Sequence, residues 1–152
     1  MTQEELVSYY KLVNNVITEL GVDPTICFSP EKPGQWELKR GSATIWIDMF
    51  IDANNQNKGY FQMMAPICEV PATRREEFLD EVLTIGHNLY GCGFTKYDKW
   101  IYVKLIREVD DLSQMEIRAT FDRIGYYGDF YDDHFKNKYF GGGSNGDDAG
   151  GR

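Results

Sequence analysis

The sequence predicts an α+β protein with element order α-β-β-β-α-β-β-α, its helices packed on a mostly antiparallel sheet. Three observations predict it. Three stretches carry apolar residues at helical spacing behind Ser/Thr-x-x-Glu capping signatures. Five runs alternate or are rich in β-branched and aromatic residues. Within the first three runs and the last two, the connections are polar or glycine-containing, as hairpins require.

The first helix is expected over residues 3–20. Thr2 and Glu5 form its capping box, and Leu6, Tyr10, Val13, Ile17 and Leu20 form one apolar face. Gly21 suits a left-handed C-terminal cap, and Pro24 opposes resumption of the helix. Thr25–Ser29 reads as a short extended run, and Pro30 with Pro33-Gly34 makes a turn. Gln35–Arg40 places Trp36 and Leu38 on one side. Gly41 then turns the chain into Ser42–Ile51. In that strand Ala43, Ile45, Ile47, Met49 and Ile51 share one face, and Thr44, Trp46, Asp48, Phe50 and Asp52 the other. A polar loop over residues 54–59 leads to a third strand, Tyr60–Cys68.

Thr73 and Glu76 suggest a second capping box, opening a helix over residues 73–90. Its apolar stripe (Phe78, Val82, Ile85 and Leu89, with Leu79, Leu83 and Gly86 alongside) is wide, which predicts cover on more than one side. Gly91 and Gly93 end it. Phe94–Tyr97 and Trp100–Val109 read as a hairpin turning at Asp98-Lys99. Ser113 and Glu116 cap a closing helix over residues 112–138, with Ile117, Phe121, Ile124, Gly128, Tyr131 and Phe135 as its buried stripe. Each glycine at 125 and 128 costs about 1 kcal/mol against alanine in a helix, so a kink or a close approach is expected there. The domain reading is one unit over residues 1–140, followed by a flexible Gly/Asp-rich tail, 141–152.

Composition narrows the function classes. Hydrophobic residues make up 42% of the 152 positions, enough for a core without disulfides or metals. A net charge of −8 opposes non-specific binding to nucleic acid and to anionic membranes. No apolar run approaches the roughly 20 residues of a membrane helix, and the acidic start lacks the basic region of a secretory signal. The expected location is the cytoplasm. Cys27, Cys68 and Cys92 form no CxxC pair and read as small apolar residues; Cys92, between two glycines, is the best candidate for a reactive thiol. His87 suits a helix C-terminus. His134 follows Asp129, Asp132 and Asp133, but these positions do not converge on one helix face, so a solvated acidic surface is expected and no metal or other cofactor. Neither a phosphate loop nor a nucleophile elbow is present, and the chain does not read as an enzyme.

The pattern that asks for a functional reading is aromatic. If the isoleucines of 42–51 face the helices, Trp46 and Phe50 face away; by the same alternation Trp100, Tyr102 and Ile106 oppose Ile101, Val103 and Leu105. Large apolar groups on a helix-free sheet face mark an interface when exposed. Trp46, Phe50, Trp100 and Tyr102 are therefore the candidate partner-binding residues.

Three stretches also carry a family resemblance: Trp36–Ile51, Val70-Pro71 through Leu89-Tyr90, and Trp100–Glu116 running through Arg107-Glu108-Val109-Asp110. In these the chain resembles the YbjN-like family of bacterial cytoplasmic proteins, with the fold of type III secretion chaperones. The resemblance implies a small acidic homodimer that binds an extended protein client, or a regulatory partner, without catalysis. The alternative is a small-ligand-sensing regulator of signal transduction that uses the same aromatic surface.

Overall fold

The computed structural model describes residues 1–141, so all of the expected tail at 141–152 but Gly141 lies outside the described residues. Its elements are α1 (Gln3–Glu19), α2 (Pro24–Cys27), β1 (Gln35–Arg40), β2 (Ala43–Asp52), β3 (Lys58–Glu69), α3 (Arg75–Gly86), β4 (Gly93–Tyr97), β5 (Trp100–Glu108) and α4 (Gln114–Tyr139). The strands form one antiparallel sheet in the order β1-β2-β3-β5-β4. This is the predicted order with one added helical turn.

Two of the three predicted capping boxes form. The Thr2 and Ser113 hydroxyls accept from the amides of Glu5 and Glu116, and the two carboxylates accept in return from the cap amides. The third does not. The cap of α3 is Arg74, at φ 58°, with no side-chain cap bond. Its guanidinium instead pairs with Glu77 at 2.7 Å, and the helix, Arg75–Gly86, starts one residue later than a Thr73 cap would place it. The expected extended run at Thr25–Ser29 is also corrected. Pro24 lacks the N–H that a first helical turn leaves unbonded anyway, and Asp23 accepts from the Thr25 amide at 2.9 Å. One turn of helix results, and only Phe28 joins the sheet, as an isolated bridge to Trp36.

Alternation decides the two sheet faces. Ile45, Ile47 and Met49 of β2, Phe61, Met63 and Ala65 of β3, and Ile101 and Val103 of β5 are buried in one cluster with the inner faces of α1 and α4. Among the described residues the helices gather on this face. The glycines of α4 serve close approach: a Cβ added at Gly128 would stand 3.2 Å from the Cβ atoms of Ala43 and Ala65, and one at Gly125 would overlap the side chain of Arg40. Pro66, which cannot donate to the ladder, sits where the register of β3 slips against β5.

Helix α3 corrects a further expectation. Only Phe78 and Val82 are buried on it, Phe78 standing edge-on to Phe135 and Tyr139 of α4 at 5.1 and 5.0 Å. Leu83 is exposed, so the wide stripe is covered on one side only.

Candidate binding groove

The segment after α1 is folded back by its own chemistry. Gly21 takes φ 80°, its amide bonds the Thr18 carbonyl at 2.9 Å, and the Val22 amide reaches the Ile17 carbonyl at 3.2 Å. This is a Schellman closure, which a residue with a side chain would resist. The chain then makes α2 and returns to the sheet at Phe28, where the Ser29 amide donates to the Gln35 carbonyl at 2.9 Å.

That return covers only the first half of β1. Alternate residues of a strand turn their N–H and C=O to opposite edges. Gln35 faces Ser29, so Glu37 and Lys39 also turn away from β2; the Phe28–Trp36 bridge takes the Glu37 amide, which leaves the Glu37 carbonyl and the Lys39 groups beyond it. Beside them lies a groove of about 630 Å³. Its apolar lining includes Leu20, Val22 and Ile26 on one side, Leu38 on β1 and Phe121 on α4. Ile26 is 77% exposed beside this apolar lining. Glu37, Lys39 and Arg40 of β1 and Arg118 and Asp122 of α4 are its charged lining. Arg40 Nε stands 3.6 Å and Arg118 Nε 3.3 Å from the two carboxylate oxygens of Asp122. Burial, with Asp23 nearby, pushes the Cys27 thiol up and keeps it protonated.

The predicted site residues lie elsewhere. Trp46, Trp100 and Tyr102 share the sheet face opposite the main core, as alternation required, and form a separate cluster with Met64 packed against it. They are not open: their exposures are 5%, 7% and 3%. The expectation of an exposed aromatic surface is thus corrected for these three. The pairings Trp46↔Met64, Pro66↔Tyr102 and Glu69↔Trp100 run the groups diagonally across three strands, where they pack on one another. The Trp46 and Tyr102 ring centroids are 6.3 Å apart. Phe50 is not part of this cluster. It stacks on Tyr60 at 5.8 Å and is 36% exposed.

The reactive-group candidates find structural roles. Burial raises the thiols of Cys92 and Cys68 to about 11 and about 12, the opposite of nucleophile activation. His134 does not join the acidic surface of its own helix. Its Nε2 meets Glu81 of α3 at 2.7 Å. Among the described residues no group of three His, Cys, Asp or Glu could hold a metal, and no helix is long and apolar enough to cross a membrane.

No protein-family model and no curated protein matches this sequence. Solved structures do match. A chain in the HopA1-SchA chaperone-effector complex aligns with a TM-score of 0.63 at 10% identity, over 87% of this chain and 98% of that one. A chain in the ExsC-ExsE complex aligns with a TM-score of 0.61 at 11% identity, over 84% and 92%. At such identities the likeness is one of backbone architecture, and it extends over nearly all of the described residues. The chain has the secretion chaperone-like α+β fold.

Proposed function

We propose that this chain is a noncovalent protein-binding module, chaperone-like, that holds an extended client segment along the outer edge of β1. The observation that carries the reading is the juxtaposition of the outward-facing Glu37 carbonyl and Lys39 backbone groups with an apolar groove. An added strand draws affinity from main-chain hydrogen bonds and selectivity from side chains set into the groove. The fold shared with a chain of a chaperone-effector complex supports the same reading. Trp46, Trp100 and Tyr102 then serve as a buried support for the sheet, and Phe50 is the member of the predicted set that a partner can touch. The YbjN-like pattern in the sequence and the net charge of −8 favour a bacterial cytoplasmic setting, with a protein client or regulatory partner and neither nucleic acid nor membrane.

The test is hydrogen exchange on the chain with and without a client segment identified by capture and then purified. The Lys39 amide is expected to slow on binding, and Ile26→Lys to weaken the client roughly tenfold or more, since burying an isoleucine is worth about 2 kcal/mol. The circular dichroism of that variant should match the parent, because Ile26 is exposed. Unchanged exchange at Lys39 would rule out strand addition at β1.

We also propose a homodimer through α3 and β4, which carry or flank the exposed Leu83, Tyr90 and Tyr97. Light scattering at micromolar concentration is expected to give twice the 17.6 kDa chain mass. A monomer mass throughout a concentration series would reject it.

A further inference from the structure

We propose that the groove selects client strands carrying an acidic side chain two residues from the apolar anchor; this rests on the strand-addition reading above. The groove is apolar at Leu20, Leu38 and Phe121 and becomes cationic beside Arg40 and Arg118. Arg40 and Arg118 share the single carboxylate of Asp122, giving a local excess of one positive charge in a chain of net charge −8. Neither contact has the short bidentate geometry of a saturated arginine–carboxylate pair. Both guanidinium side chains remain partly open to solvent.

The placement of Arg40 is built into the fold. It occupies the last position of β1, on the same face as Trp36 and Leu38, and its stem crosses α4 at Gly125. Any side chain at 125 would displace that stem. A mid-helix glycine costs about 1 kcal/mol, and the close passage of Arg40 gives this one a physical reason.

Strand geometry then sets the client's pattern. Residues two apart on an added strand fall on the same face. One that packs against Leu38 and Phe121 puts the residue two positions along beside Arg40 and Arg118. Cross-strand neighbours of opposite charge attract, and like charges repel. The rest of the chain repels acidic proteins at long range, so this preference is confined to the groove and to contact distance.

The probes are short fluorescein-labelled peptides of alternating threonine and leucine, with Asp, Asn or Lys two positions after one leucine, read by fluorescence anisotropy. At low salt the Asp peptide is expected to bind roughly fivefold tighter than the Asn peptide, the upper end for a solvent-exposed pair, and the Lys peptide weaker than either. High salt should shrink these ratios. In Arg118→Gln, with the fold checked by circular dichroism, the Asp-to-Asn ratio should approach one. Equal affinity for the three peptides, or a preference that survives both Arg118→Gln and Arg40→Gln, would overturn the charge selectivity and leave strand addition standing. Failure of all three peptides to bind would overturn both.

Discussion

Trp36→Ala is expected to lower the free energy of unfolding by about 4 kcal/mol. The side chain is completely buried. Its ring meets Tyr10 of α1 edge-on at 5.1 Å and Phe28 at 5.3 Å, and Nε1–H donates to Asn14 Oδ1 at 3.0 Å. Truncation removes the area term, both aromatic contacts and the hydrogen bond, and leaves a cavity between α1 and the edge strand. Because a domain of this size holds about 5–15 kcal/mol in total, the variant should unfold at a much lower urea concentration. Trp36→Phe should recover most of the loss, since it keeps a ring against Tyr10 and Phe28. Urea titration followed by circular dichroism measures both. A loss under about 1 kcal/mol for the alanine variant would mean that β1 is not anchored through this residue. The consequence reaches the groove, because Phe28, which fixes the return of the chain after α2, packs on the same ring.

The sequence made the two sheet faces legible because the period of a strand is two and β2 puts aliphatic residues at 43, 45, 47 and 49. The capping boxes at Thr2 and Ser113 were legible because cap and carboxylate act within one turn. Where a non-local contact decided the outcome, the reading failed. Thr73-x-x-Glu76 has the same letters, but Arg74 adopts a left-handed backbone, pairs with Glu77 and reaches the Lys138 carbonyl of α4. Helix α2 is four residues long, too short to show a period, although Asp23-Pro24 is a start signal. Alternation put Trp46 and Tyr102 on the correct face, but it says nothing of how rings on one face lie against each other. The groove was not legible, since it joins residues 20–27, 37–40 and 118–122, and no motif links them. The glycines of α4 were the usable hint. They announced a close approach, and Arg40 and the alanines of β2 and β3 make it.

Acid is expected to loosen the α3–α4 contact, and Glu81→Gln to abolish most of that sensitivity. Burial of Glu81 raises its pKa, but hydrogen bonds from Tyr139, from Lys138 at 2.9 Å and from His134 at 2.7 Å outweigh it and hold the carboxyl at about 2. Its ordinary value is 4.5. A carboxyl depressed on folding binds more protons when unfolded, so its contribution is complete above that ordinary value and is lost as pH falls toward the folded one. The shift corresponds to about 3 kcal/mol, released between roughly pH 5 and pH 2. The side chain is only 18% exposed, so solvent screens this little. Asp132, raised chiefly by its burial, acts in the opposite direction. It is present in both proteins, so the difference between wild type and Glu81→Gln isolates Glu81. Urea titrations at pH 7, 5 and 3 should show wild type losing its advantage over the variant as pH falls. Parallel curves would mean that the carboxylate is not engaged. Because Arg74 also lies 4.6 Å over the Tyr139 ring and donates to the Lys138 carbonyl, the same few residues tie the start of α3 to the end of α4. Loss of the Glu81 charge should therefore show first as faster hydrogen exchange in α3, while β2 and β3, whose bonds lie in the sheet interior, stay protected.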